Sequence, residues 1–136
     1  RSGAEAVTAC VIDASAILAF AFAEKGADRV ERWIEDGAAV SALTVQETVS
    51  KLCQTGMDLE EADELIQALG LAVHVLDFGL AVRAGGMFAL TKAYGLSHGD
   101  RACLALGQKL AVPVVTADKA WSNVANDLGL RVEQFR

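Results

Sequence analysis

The stretch "VIDASAILAF" (residues 11–20) sets one acid, Asp13, between the apolar run "AVTACVI" (6–12) and the equally apolar "ILAFAFA" (17–23). A carboxylate is rarely buried without a partner, because stripping its water is costly. An apolar, β-branched run that ends in an acid and passes into a helical pattern reads as a strand, a tight connection and a helix start. Asp13 therefore belongs at the carboxyl end of a strand, where helix N–H groups or a cation can hold it.

Working outward, the same unit recurs. Further apolar runs are "LAVHVL" (71–76), "VPVVT" (112–116), "LRVEQF" (130–135) and the weaker "AAVSA" (38–42). Helical patterns lie between them at 15–22, 27–36, 45–55, 59–69, 80–94, 99–110 and 119–128. Nearly continuous apolar strands alternating with helices predict a parallel sheet covered on both faces, an α/β fold organised as a three-layer α/β/α sandwich. "LGLAV" (69–73) and "LGLRV" (128–132) each read as a helix closed by Gly and feeding a strand. Gly85 and Gly86 within the 80–94 pattern imply close packing or a break, since each costs about 1 kcal/mol in a helix interior.

The 136 residues fit a single domain, residues 1–136, with 53% hydrophobic and 22% charged positions and no stretch of disordered composition. The eight-residue apolar run Ala16–Ala23 is too short to span a bilayer. Cys10, Cys53 and Cys103 show no C-x-x-C spacing, so neither a zinc site nor a disulfide framework is indicated, and a reducing cytoplasm is expected. A net charge of -6 excludes a whole-surface nucleic-acid binder, so any such role needs a local patch.

Four acids stand at or near helix starts: Asp13, Glu47, Asp100 and Asp118. Each alone has a local explanation. Thr44-x-x-Glu47 and Ser97-x-x-Asp100 match the capping box, and Asp13 and Asp118 match plain N-caps. Asp58-x-x-Glu61 shows the same device on a helix far from any strand end. In a doubly wound sheet, however, ligands bind beyond the carboxyl ends of the strands, and four carboxylates gathered there would repel one another. Mg2+ or Mn2+ would resolve that repulsion with oxygen ligands, activate water and support in-line attack on a phosphodiester. Ser15 and Thr116 are candidates to hydrogen-bond the carboxylates, or simply to cap their own turns.

The segments "VIDASAILAF" (11–20), "VSALTVQETVSKL" (40–52), "GLSHGDRACLALGQKLAVPVVTADKAW" (95–121) and "LGLRV" resemble PIN-domain ribonucleases, and within them the VapC-type toxins of toxin–antitoxin pairs. The resemblance implies that Asp13, Glu47, Asp100 and Asp118 form a Mg2+ or Mn2+ site, with Asp13 and Asp100 as direct ligands. It implies cleavage of single-stranded or looped RNA, a homodimer and a cognate antitoxin that places a basic residue in the acidic pocket. Gln46, His98 and the glycine pair depart from the usual pattern, but none removes an acid.

Lys92, Arg101 and Lys119 flank the acids in sequence and are candidate RNA contacts or plain surface charges. His98 reads as an exposed helix-start residue and His74 as structural. Trp33 and Trp121 read as packing residues. The stripe Ala16, Leu18, Ala19, Phe20 and Phe22 is denser than one helix face requires, which suggests cover by a partner. An aspartyl-phosphate phosphatase would need a second Asp where Ser15 stands. A PIN-domain RNA-processing nuclease that is not a toxin, and a catalytically silent binding module of the same fold, remain open from sequence.

Overall fold

A computed structural model describes residues 7–136; residue 6 of the first apolar run and the opening "RSG" lie outside the described residues. The strands are β1 (Cys10–Ile12), β2 (Ala38–Ser41), β3 (Ala72–His74), β4 (Val114–Thr116) and β5 (Val132–Gln134). All pair in parallel in the order β3-β2-β1-β4-β5, so all five apolar runs become strands, each shorter than its run. Connections leave β1 toward β2 on one side, while β4 sits on its other side. That reversal between β1 and β4 is the switch point of a doubly wound sheet.

Side chains alternate across the sheet with the two-residue period of a strand. Val11, Ala39 and Val114 face a core completed by Leu80, Ala84, Leu104 and Trp121. Cys10, Ile12, Val40 and Val115 face the opposite core, with Ile17, Val30, Leu52 and Ile66. The first layer carries α5 (Phe78–Gly86), α7 (His98–Leu110) and α8 (Trp121–Val124); the second carries α1 (Ala14–Ala21), α2 (Ala27–Gly37), α3 (Ala42–Gln54) and α4 (Leu59–Ala68). The three-layer expectation holds. The cover thins at the edge, where Ala72 and Val73 of β3 are exposed.

Helix α7 is buried continuously from Arg101 to Gly107. A Cβ on Gly107 would come within 2.4 Å of Val114 Cγ2, so the glycine lets α7 lie directly on β4. Gly70 and Gly129 adopt φ of +63° and +66°, the left-handed conformation expected of the two "LGL" turns.

Three helical expectations change. The 80–94 pattern breaks after Gly86 into α6 (Phe88–Thr91) and a 3-10 turn (Lys92–Tyr94), and nothing lies within 4 Å of a Cβ on Gly85 or Gly86, so the pair marks a break rather than close packing. The 119–128 pattern yields only the four residues of α8. The apolar stripe of α1 is mostly internal: Ala16 and Ala19 are buried, Leu18 and Phe20 pack against the core, and only Phe22 is exposed. No helix among the described residues is long and apolar enough to cross a membrane.

Candidate active site

The carboxyl ends of β1, β2 and β4 and the amino end of α7 meet at the switch point. Asp13 follows β1 and caps α1, its Oδ1 accepting the Ala16 N–H at 2.9 Å. It does more than cap. Ser15 Oγ donates to Oδ1 at 2.7 Å, and Thr116 Oγ1, at the end of β4, donates to Oδ2 at 2.5 Å. Both hydroxyls also accept, Ser15 from the Ala117 N–H and Thr116 from the Asp118 N–H. Two hydroxyls thus tie the turn after β4 to the carboxylate after β1.

The other acids arrive separately. Asp100 lies in the first turn of α7, where the Ser97 capping box forms and Oδ2 accepts the Ser97 N–H at 2.9 Å. Glu47 does not form the box expected with Thr44, because Ser41 caps α3 three residues earlier and Thr44 is buried inside the helix. Its Oε2 pairs with Lys51 Nζ at 3.3 Å, while Oε1 stands 2.6 Å from where a Cβ on Gly99 would lie. Asp118 is exposed at the rim, its Oδ1 accepting the Ala120 N–H. The four acids, with Ala14, Ser15, Thr44, Lys51 and Gly99, line one hollow of about 150 Å³. Larger hollows of about 310 and 340 Å³ lie between α2 and β5 and at the opposite end of the sheet, and neither gathers such a set.

Burial pushes the Asp13 carboxyl up to about 6; the charge of Asp100 adds to the rise, and the hydrogen bonds from Ser15, Thr116 and Ala16 oppose it. Asp100 is likewise raised, first by burial and then by Glu47 and Asp118, against the bonds from Ser97. Beneath the pocket, Cys103 is raised by burial and by the charges of Asp13, Asp100 and Glu47, which keeps it a thiol with Sγ directed at the Ile12 carbonyl. The site is thus a low-dielectric pocket with excess negative charge.

That donor set is all oxygen and suits a hard divalent cation. Yet among the described residues no group of three acid, histidine or cysteine side chains is set to hold an ion. Repulsion and local partners account for this: Glu47 turns to Lys51, Asp100 to Ser97 and Asp118 to Ala120.

The family model described as "PIN domain" matches residues 10–127, nearly the whole described chain. The chain belongs to the PIN-domain family. PIN domains are nucleases. No curated protein matches in sequence. Among solved structures, a DNA-bound VapBC from Salmonella typhimurium superposes with a TM-score of 0.73 at 15% identity, covering 96% of this chain and 100% of that one. A promoter-bound VapBC2 from Rickettsia felis gives 0.70 at 12%, covering 92% and 97%. A toxin–antitoxin complex from Klebsiella pneumoniae gives 0.70 at 16%, covering 94% and 98%. These likenesses establish a shared fold.

In this PIN domain the residues read from sequence as RNA contacts do not line the pocket. Lys92 is exposed on the 3-10 turn, and Lys119, also exposed, donates to the Arg136 carbonyl. Arg101 is a correction. Its guanidinium is buried, donates to the Leu96 carbonyl at 2.9 Å, meets His98 Nδ1 at 2.9 Å and lies over the Phe88 ring, so it braces the entry to α7 instead of facing solvent. His98 is exposed at the helix start, as expected.

Two residues the sequence did not flag line the pocket beside the acids. Gly99 makes room for Glu47, and Lys51 pairs with it. The four-residue spacing of Glu47 and Lys51 on one helix was a readable signal for the pair. The approach of Gly99 to Glu47 joins segments 52 positions apart and had no local signal.

Proposed function

We propose that this PIN domain is a Mg2+- or Mn2+-dependent endoribonuclease of the VapC toxin type, cutting single-stranded or looped RNA. One observation carries the reading: four acids from four separate segments line one pocket at the switch point of the sheet.

Asp13 and Asp100 would hold the cation, with Glu47 and Asp118 completing its shell. When bound, a divalent ion supplies a Lewis-acid centre that makes water a better nucleophile at neutral pH and stabilises charge on the phosphodiester. The chain's own part is placement. Ser15 and Thr116 fix both oxygens of Asp13, so the most buried carboxylate presents a set orientation to the pocket. Neither Ser15 nor Cys103 serves as a nucleophile: the hydroxyl already donates to Asp13 and accepts from Ala117, and the thiol is held protonated by its surroundings. The exposed Lys92 and Lys119 would meet RNA phosphates outside the pocket.

The same reading includes a homodimer, an antitoxin partner and a cytoplasmic setting. The apolar side chains of Phe78, Val82 and Phe88, 85%, 58% and 55% exposed, offer surface for protein partners. The test is cleavage of single-stranded RNA by purified protein with Mg2+ or Mn2+ and with EDTA. Wild type should cut only with metal, and Asp100→Asn should not cut. Equal cleavage by both proteins would remove the reading. Growth arrest on expression, relieved by a neighbouring small gene, would support the toxin assignment, and a harmless active protein would favour RNA processing.

A further inference from the structure

Lys51 is the basic residue among those that line the acid pocket. It reaches Glu47 from one helical turn further along α3, in the favourable order with the acid nearer the amino end. Both partners keep partial access to water, with side chains 48% and 32% exposed. On its other side the carboxylate of Glu47 closes against the bare backbone of Gly99 at the start of α7, which pins it at the pocket wall. Four carboxylates therefore share a hollow with one ammonium group.

We propose that Lys51 is the resident counter-cation of this pocket, holding Glu47 while no divalent ion is bound and releasing it when one is. The inference rests on the metal-dependent reading above. An ion and an ammonium group cannot both occupy the same side of one carboxylate, and two cations in a hollow of about 150 Å³ repel. Lys51 consequently sets how readily the pocket accepts an ion: it stabilises the metal-free protein and raises the ion concentration needed to fill the site. It is a positioning residue, since it acts through Glu47.

The test is a calorimetric titration of Mn2+ into wild type, Lys51→Met, Lys51→Arg and Asp100→Asn at low ionic strength, with the melting curve of each metal-free protein recorded. Lys51→Met removes the charge and keeps the length of the side chain. It should bind Mn2+ roughly threefold to tenfold more tightly, the scale of an exposed ion pair plus relief of repulsion. Lys51→Arg should stay within about twofold of wild type because the charge remains. If wild type binds Mn2+ and Asp100→Asn does not, while Lys51→Met matches or falls below wild type, the Lys51 proposal fails and the metal reading stands. If wild type and Lys51→Met both fail to bind, both fall together.

Discussion

Asp13 and Asp58 make the same local bond in different surroundings. Each precedes a helix, is extended in backbone and accepts the N–H three residues on, at 2.9 Å for Ala16 and 2.8 Å for Glu61. Asp58 is exposed, and its helix lies away from the strand ends. Asp13 is buried, takes two further hydroxyl donors, one from 103 positions away, and feels the charge of Asp100. A cap is a local fact, whereas a site is a fact about what the topology brings to the cap. Only Asp13 stands where β1 and β4 diverge.

Substitution should separate the two most sharply in activity. Asp13→Asn should lower RNA cleavage by more than the ~10- to 100-fold typical of losing a group behind a metal ligand. Asp58→Ala should leave cleavage unchanged in the same gel assay. Loss of activity in both variants would mean that global destabilisation, and not the pocket, explains Asp13.

The next contrast is in pH. Asp13 has a folded value of about 6 against an ordinary 3.8, so the native chain holds more protons than the unfolded chain between those values. Stability should therefore fall as pH rises from about 4 to 6 and remain lower above, by on the order of 2–3 kcal/mol for a shift of this size. Urea unfolding in EDTA across that range measures it, and Asp13→Asn should flatten the slope. A wild type that gains stability over the same range would contradict the burial argument.

Smaller effects follow. Thr116→Val removes the donor on Oδ2 but keeps the shape, and should weaken cleavage by about 10- to 100-fold. Asp58→Ala should cost only the cap, about 1 kcal/mol in thermal unfolding. A larger loss would show that Asp58 has partners beyond Glu61.

The sequence made much of this fold readable because its strands are short apolar runs closed by polar residues. All five became strands, and α7, expected at 99–110, runs from His98 to Leu110. Where expectation missed, a nearer or longer-range partner prevailed. Ser41, at the end of β2, caps α3 before Thr44 can. Asp118 binds the Ala120 N–H in a turn, and the 119–128 pattern contracts to Trp121–Val124. Asp13 and Asp118 were legible because they follow strands and Asp100 because it opens α7, whereas Glu47 was singled out by a Thr44 capping pattern that does not form and lies in the middle of α3. Arg101 misled because its neighbour Asp100 faces the pocket while Arg101 itself turns inward to Leu96 and Phe88. Gly99 acquires meaning only once α3 and α7 are brought together, whereas the Lys51 pair with Glu47 lies within α3.

A divalent cation that completes the pocket around Asp13 should show in the melting temperature at neutral pH as Mn2+ is added to wild type, Asp13→Asn and Asp58→Ala. An ion that binds only the folded chain stabilises it by about 2.7 kcal/mol at 100 times its dissociation constant. Wild type and Asp58→Ala should therefore rise together while Asp13→Asn stays flat. Equal shifts in all three proteins, or none in any, would contradict the account.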